Sequence, residues 1–278
     1  VIGLEPNEAA CAVSRRKGHT VWSGFLTMER ASEILAVEGQ FDTIYGRHVI
    51  EHVHDIGAFF QAIRMLLRDG GQLVVELPEV EEAMALGSPA ILWEEHVSYL
   101  TRAQAEDMLS RFGFGITDRR HYAFGGGSVA FVAKKARMSE AWPWGAHRAN
   151  AKILANMFVD RMAIQRRALG ELILEARANG CQIVLYGGAP RSVMMAAACD
   201  IGDQLDIVVD DRADLWGRYF PGTDHRITHL GACKLDDRAL VLLGVGSENE
   251  YRVKPRIHAV EPVFVSLFSP RDALASIA

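Results

Sequence analysis

Short apolar runs ending on a glycine, an acid or a proline alternate along this chain with longer stretches whose apolar residues recur at helical spacing. That alternation marks βαβ units, in which connecting helices cover parallel strands. VIGLE, HTVWSG, FDTIYG and QLVVELP read as strands. Between them, NEAACAVSRRKG reads as a helix capped by Asn7 and Gly18, and MERASEILAVEG as another. VHDIGAFFQAIRMLLRDGG carries Ile56, Phe59, Phe60, Ile63, Leu66 and Leu67 on one helical face, with Gly70 and Gly71 expected to stop it. LTRAQAEDMLSRFGF is a helix with Thr101 as N-cap, and ITDRRHY and SVAFVAKK are strands joined by the FGGG turn.

A Trp- and Pro-rich stretch, SEAWPWGAHRAN, interrupts the pattern and reads as a linker over 136–150. A helix is expected over 151–179, with Phe158, Met162, Leu169, Leu172 and Ala176 on its apolar stripe. A second α/β series follows in CQIVLYGGAPRS, LDIVVDD, ALVLLGV and PVFVSLF. The expected organisation is therefore one α/β domain over 1–135 and a second over 151–278.

With 278 residues the chain is long enough for two such domains, and its net charge of -5 gives no sign of a nucleic-acid surface. No apolar run approaches the ~18 residues of a membrane span. Cys11, Cys181, Cys199 and Cys233 lack zinc-ligand spacing and read as free thiols of a reducing cytoplasm. A cytoplasmic protein is the expectation, with neither nucleic acid nor membrane as partner.

Ligands of open α/β sheets bind off the carboxyl ends of the strands, which directs attention to the residues there. Glu5, before Pro6, sits where an acid can accept hydrogen bonds from ribose hydroxyls; the alternative is a plain solvated acid. Such an acid normally follows a glycine-rich turn by about 20 residues, and here nothing precedes it. His48 and His52, after Gly46 and Arg47, are four apart, so one helical face could hold both. The acid that a zinc-protease helix carries directly after its first histidine is missing, and no metal is assigned. Glu76 ends another strand. ILWEEHVSYLT gathers Trp93, Glu94, Glu95, His96 and Tyr99; an imidazole beside carboxylates suits proton transfer near neutral pH, and a polar loop capping the next helix is the alternative. In LYGGAPRS, Tyr186, Gly187, Gly188, Arg191 and Ser192 form a strand-to-helix turn whose amides favour anions, phosphate above all. Asp210 and Asp211 end the strand after it.

Taken together, GLEPN, DTIYGRHVIEHV, VELPE, EEHVSYLT, FGGGSV, YGGAPRS and DDRADLWGRYFPGTDHRI resemble the S-adenosylmethionine-dependent sugar C-methyltransferases, which act on nucleotide-linked keto-deoxysugars. The resemblance implies a class I methyltransferase (Rossmann-like) domain entered at its second strand, followed by a second Rossmann-like domain that completes the sugar-nucleotide site. It places the first strand, and a zinc-binding domain, upstream. On this reading the chain alone binds S-adenosylmethionine poorly.

By resemblance, Glu5, Pro6, Gly46 and Arg47 serve the cofactor. His96 is the base that removes the proton α to a ketone, oriented by Glu95, with His52 near the enolate oxygen. Trp93, Tyr99, Tyr186, Gly187, Gly188, Arg191, Ser192 and Asp210 face the nucleotide-linked sugar. The chain departs from the family at Trp93 (a tyrosine there), His48 (asparagine), Leu215 (lysine), and at Gly246, Ser247 and Glu248 (Trp-Asn-His). Another sugar, a polysaccharide precursor, or an oxygen or nitrogen acceptor stays open, as does a homo-oligomer. Two readings of other kinds stand beside it: an NAD(P)-dependent Rossmann oxidoreductase, and a non-catalytic sugar-nucleotide-binding remnant.

Overall fold

The computed structural model describes residues 1–93, 95–122, 127–138, 144–258 and 261–268. They form two compact units. The first holds residues 1–77, 97–122 and 129–144, and the second holds 78–96, 123–128 and 145–278. The stretch 78–96, expected inside the first domain, thus lies in the second unit.

In the first unit β1 (Ile2–Glu5) pairs in parallel with β2 (Thr20–Ser23), Glu5 lying opposite Ser23. The helix between them, α1 (Glu8–Arg16), starts at Asn7, whose Oδ1 accepts from the amides of Ala9 and Ala10. It ends at Lys17, and Gly18 follows with φ +85°, where a glycine relieves the left-handed backbone. After α2 (Met28–Glu38), β3 (Phe41–Arg47) opens a separate four-stranded sheet, ordered β3, β4 (Leu67–Pro78), β6 (Ser128–Lys135), β5 (Phe114–Tyr122). Among the described residues, the two sheets share no strand pairing. They meet through an apolar cluster in which Ala31 and Ile34 of α2 and Ala62 and Leu66 of α3 (Ile56–Leu66) are surrounded by Ile2, Leu4, Trp22, Phe41 and Ile44.

The four-stranded sheet packs on α3 and on α5 (Arg102–Arg111). Phe59, Phe60 and Ile63 of α3 and Met108 and Leu109 of α5 share one buried cluster with Leu73, Val75 and Leu77 of β4, Phe114 of β5 and Phe131 of β6. Thr101 caps α5 with a full capping box: its hydroxyl accepts from the Gln104 amide, and the Gln104 side chain accepts from the Thr101 amide.

Two expectations fail here. The helix expected to run to Gly70 stops at Leu66, because Leu67 is extended, fully buried and paired with Phe41 of β3. A sheet partner outweighs the helical spacing of Leu67, and Gly70, with φ +76°, bends the strand instead of ending a helix. His48 and His52 do not share a helical face: His48 has φ +50°, outside any helix, and only Ile50–His52 form a short 3-10 turn.

The second unit is a parallel five-stranded sheet in the order β11 (Glu261–Ser266), β10 (Arg238–Leu243), β7 (Gln182–Tyr186), β8 (Ile207–Val209), β9 (Ile227–Thr228). Past Gln182 and Arg238 at their first positions, its central strands β7, β8 and β10 are apolar throughout because both faces are covered. Ile183, Leu185, Val208, Leu240 and Leu242 point to one cluster, and Val184, Tyr186, Val209, Val241 and Leu243 to the other. The helix expected over 151–179 is α6 (Trp144–Ala178), which begins inside the stretch expected as linker; residues 139–143 of that stretch are outside the described ones. Phe158, Leu169 and Ile173 of α6 are buried, and Leu172 and Ala176 pack beside them. The helices α4 (Val80–Leu86), α7 (Pro190–Cys199) and α8 (Ser247–Val253) complete the unit. Of these, α4 and α8 are too short to show a periodic signature, and neither was expected, nor was the two-residue β9. Among the described residues, no helix is long and apolar enough to cross a membrane.

Candidate active site

In the first unit the polar side chains gather at the carboxyl ends of β1, β3 and β4. Glu5 ends β1, and its Oε1 accepts from the Asn7 amide at 2.8 Å, which fixes the carboxylate over the tight Glu5-Pro6-Asn7 turn. Gly46 lies near the end of β3, where an added Cβ would meet nothing within 4 Å. A fixed carboxylate at one strand end and bare backbone at another are what a ribose and an approaching ligand require.

Glu76, 6% exposed at the end of β4, draws three side chains together. Arg47 Nε lies 3.0 Å from its Oε2, His48 Nε2 3.5 Å from its Oε1, and the Tyr45 hydroxyl donates to Oε2 at 3.5 Å. Burial, together with the Glu76 charge, raises the Tyr45 phenol above its ordinary value. The other nitrogen of His48, Nδ1, faces Glu51 Oε1 at 3.2 Å. Glu51 is 4% exposed, and its carbonyl accepts from the amides of Val97 and Ser98 at 2.8 and 3.2 Å. The strained backbone of His48 is held because its amide also donates to the Glu76 carbonyl at 2.9 Å. Glu51 had no sequence signal: its burial comes from pairing with a segment more than forty residues away.

His52 ends the 3-10 turn in the first unit. Tyr99 belongs to the same unit and is half-buried. Trp93, Glu95 and His96 belong to the second, just before its boundary at Val97. The Trp93 and His96 rings stack with centroids 6.2 Å apart and planes 27° apart, and the His96 amide donates to the Trp93 carbonyl at 3.1 Å. Glu95 is exposed, and Glu94 lies outside the described residues.

The second unit assembles its polar groups around the turn after β7. Gly187 has φ +109°, and an added Cβ would lie 2.6 Å from the Gly244 carbonyl, so only glycine lets the ends of β7 and β10 approach this closely. The hydroxyl of buried Ser192 donates to that same carbonyl at 2.8 Å. Pro190 opens α7 at a position that needs no N–H. Asp210, just past the end of β8, accepts from the Gly188 amide at 2.7 Å and from the Arg212 amide at 2.8 Å. Arg191 places its guanidinium over the Phe268 ring, 4.2 Å from the centroid. Tyr186 is 2% exposed and donates to Asp211 Oδ1 at 2.9 Å. Arg256 grips the same carboxylate with both Nη atoms, at 2.6 and 2.8 Å. Burial and then Asp211 push the Tyr186 phenol up to about 12, while Arg256 holds the Asp211 carboxyl below its ordinary value. Arg256 escaped sequence reading because its partner lies 45 residues away and no local motif joins them.

Residues 1–118 match the family described as "Methyltransferase domain", and residues 124–243 match "C-methyltransferase C-terminal domain". C-methyltransferase NovU of Streptomyces niveus is 27% identical over 239 residues, which is 80% of this chain and 56% of that protein. The chain thus spans little more than half the length of this curated relative. Among solved structures, a possible histamine N-methyltransferase of Thermotoga maritima is 18% identical with a TM-score of 0.39, covering 48% of this chain and 72% of its own. A S-adenosylmethionine-dependent methyltransferase of Mesorhizobium loti is 17% identical with a TM-score of 0.38, covering 49% and 80%.

Proposed function

We propose that the chain is an S-adenosylmethionine-dependent C-methyltransferase, as the matches of residues 1–118 to a methyltransferase domain and of 124–243 to a C-methyltransferase C-terminal domain support, and that it methylates a carbon atom of a nucleotide-linked keto-deoxysugar. The observation that carries this reading is the glycine turn of the second unit. Only glycine fits at Gly187, and Asp210 holds the turn from the end of the next strand. Such a turn suits the diphosphate of a sugar nucleotide, and it lies in the stretch that matches a C-methyltransferase C-terminal domain.

The residues divide the work by their place. Glu5 receives the ribose hydroxyls of the cofactor, and Gly46 and Arg47 line its approach. S-Adenosylmethionine, when bound, supplies an electrophilic methyl group on a sulfonium sulfur. His96, backed by Glu95, takes the proton α to the ketone and leaves the substrate as an enolate, the carbon nucleophile that would accept the cofactor's methyl group as its C–S bond breaks and S-adenosylhomocysteine leaves. His52 stabilises the enolate oxygen. Trp93 and Tyr99 face the sugar, and Gly187, Gly188, Arg191, Ser192 and Asp210 its diphosphate side. A cytoplasmic setting fits substrates of this kind. No comparison favours the nicotinamide-dependent alternative.

Proton abstraction can be read without methyl transfer. In deuterium oxide, the α-hydrogen of a nucleoside-diphosphate keto-deoxysugar is expected to exchange with solvent in the presence of the protein, as followed by NMR. His96→Gln should slow that exchange by roughly 10²–10⁴-fold, the usual worth of a positioned base. Exchange at the wild-type rate in the variant would remove His96 from the role.

A further inference from the structure

Trp216 is 42% exposed, although a tryptophan of a folded domain ordinarily buries most of its ring. It does not hang loosely. Its Nε1 donates to the Asp210 carbonyl at 2.8 Å, so the indole is pinned at the carboxyl end of β8. Gly217 follows with φ +77°, and its amide donates to the Ile227 carbonyl at 2.9 Å, which fixes the chain on the other side of the ring.

Asp210 is the link. Its side chain accepts from Gly188, the second glycine of the turn, while its own carbonyl holds Trp216. One residue therefore sets both the glycine turn and the exposed aromatic face. His229, just past the end of β9, meets the indole edge-on, with centroids 4.9 Å apart and planes 61° apart. Its Nδ1 accepts from the Gly231 amide at 3.1 Å, so Nε2 carries the hydrogen of the neutral ring. A donor nitrogen thus sits beside the aromatic platform.

In a parallel sheet whose first strand lies between the second and fourth, the phosphates of a nucleotide occupy the turn after the first strand. The nucleoside extends over the ends of the second and third. Here those are β7, β8 and β9. An exposed, rigidly held aromatic ring at that place offers what a nucleobase needs, since every base has a face that can stack. We propose that Trp216 is the platform on which the base of the acceptor's nucleotide stacks, with His229 donating to an acceptor on the base edge. This rests on the sugar-nucleotide reading of the same unit and adds the residue that senses the base.

Trp216 fluorescence tests it, taken as the difference between the wild type and Trp216→Phe, which subtracts the other tryptophans. Thymidine, uridine and adenosine diphosphates should each be examined against inorganic pyrophosphate. The expected result is that at least one nucleoside diphosphate quenches the difference signal and pyrophosphate does not. Trp216→Phe should keep affinity for that nucleotide within about 3-fold, and Trp216→Ala should weaken it by roughly 5- to 100-fold, the usual worth of one stacked base. Pyrophosphate should bind all three forms equally, which also reports that the turn is intact in the variants. A Trp216→Ala protein that binds the nucleotide as the wild type does would overturn the platform and leave the acceptor reading standing. If neither nucleotide nor pyrophosphate binds the wild type, the acceptor reading falls and takes the platform with it.

Discussion

Tyr186 closes the first strand of the second unit with its hydroxyl committed to Asp211, and the two groups are shifted in opposite directions. A phenol raised from 10 to about 12 contributes stability that is fully present below pH 10 and is lost as pH rises through 12. A carboxyl depressed from 3.8 contributes stability that is present above that value and is lost as pH falls through its lower folded value. Ultraviolet titration should therefore show a phenol ionising near pH 12, absent in Tyr186→Phe. In Arg256→Gln, whose cation no longer holds Asp211 ionised, acid unfolding should begin at higher pH. Single residues were legible in the sequence where a strand end announced them. Glu5, Glu76 and Asp210 each follow an apolar run, and each stands at a carboxyl end. Glu51 and Arg256 were not legible, because each depends on a group brought from a distant segment.

Elements were easiest to read where their ends carry their own chemistry. Asn7 and Thr101 cap their helices as their neighbours in sequence imply. Thr101→Ala removes the acceptor for the Gln104 amide and one half of the capping box, so it should cost about 1 kcal/mol in urea unfolding, with an unchanged m-value. A loss below a few tenths would mean that solvent replaces the hydroxyl without penalty. The start of β4 could not be read in this way. Leu67 has a place in the helical pattern of α3, and only its pairing with Phe41 takes it into the sheet. The onset of α6 at Trp144 hid behind the proline just before it in sequence, Pro143, a residue that elsewhere marks a loop.

At the scale of the whole molecule, two α/β units were readable because each strand keeps its own apolar run. How the first unit divides its strands between two sheets is a matter of long-range pairing that no local run records. The two-stranded sheet of β1 and β2 is held to the rest of that unit by side-chain packing, with no backbone ladder to the four-stranded sheet among the described residues. Parallel pairs of this size are marginal by themselves. They should open as a group at a lower free energy than the four-stranded core. Native-state hydrogen exchange should find the amides of β1 and β2 less protected than those of β4; equal protection would show that packing alone makes the first unit one cooperative block. Glu5 rides on the weaker sheet. Any ligand that grips it can bind only the closed fraction of molecules, so its apparent dissociation constant is the intrinsic one divided by that fraction. Whatever stiffens β1 and β2 would then tighten binding at Glu5 without touching the ligand.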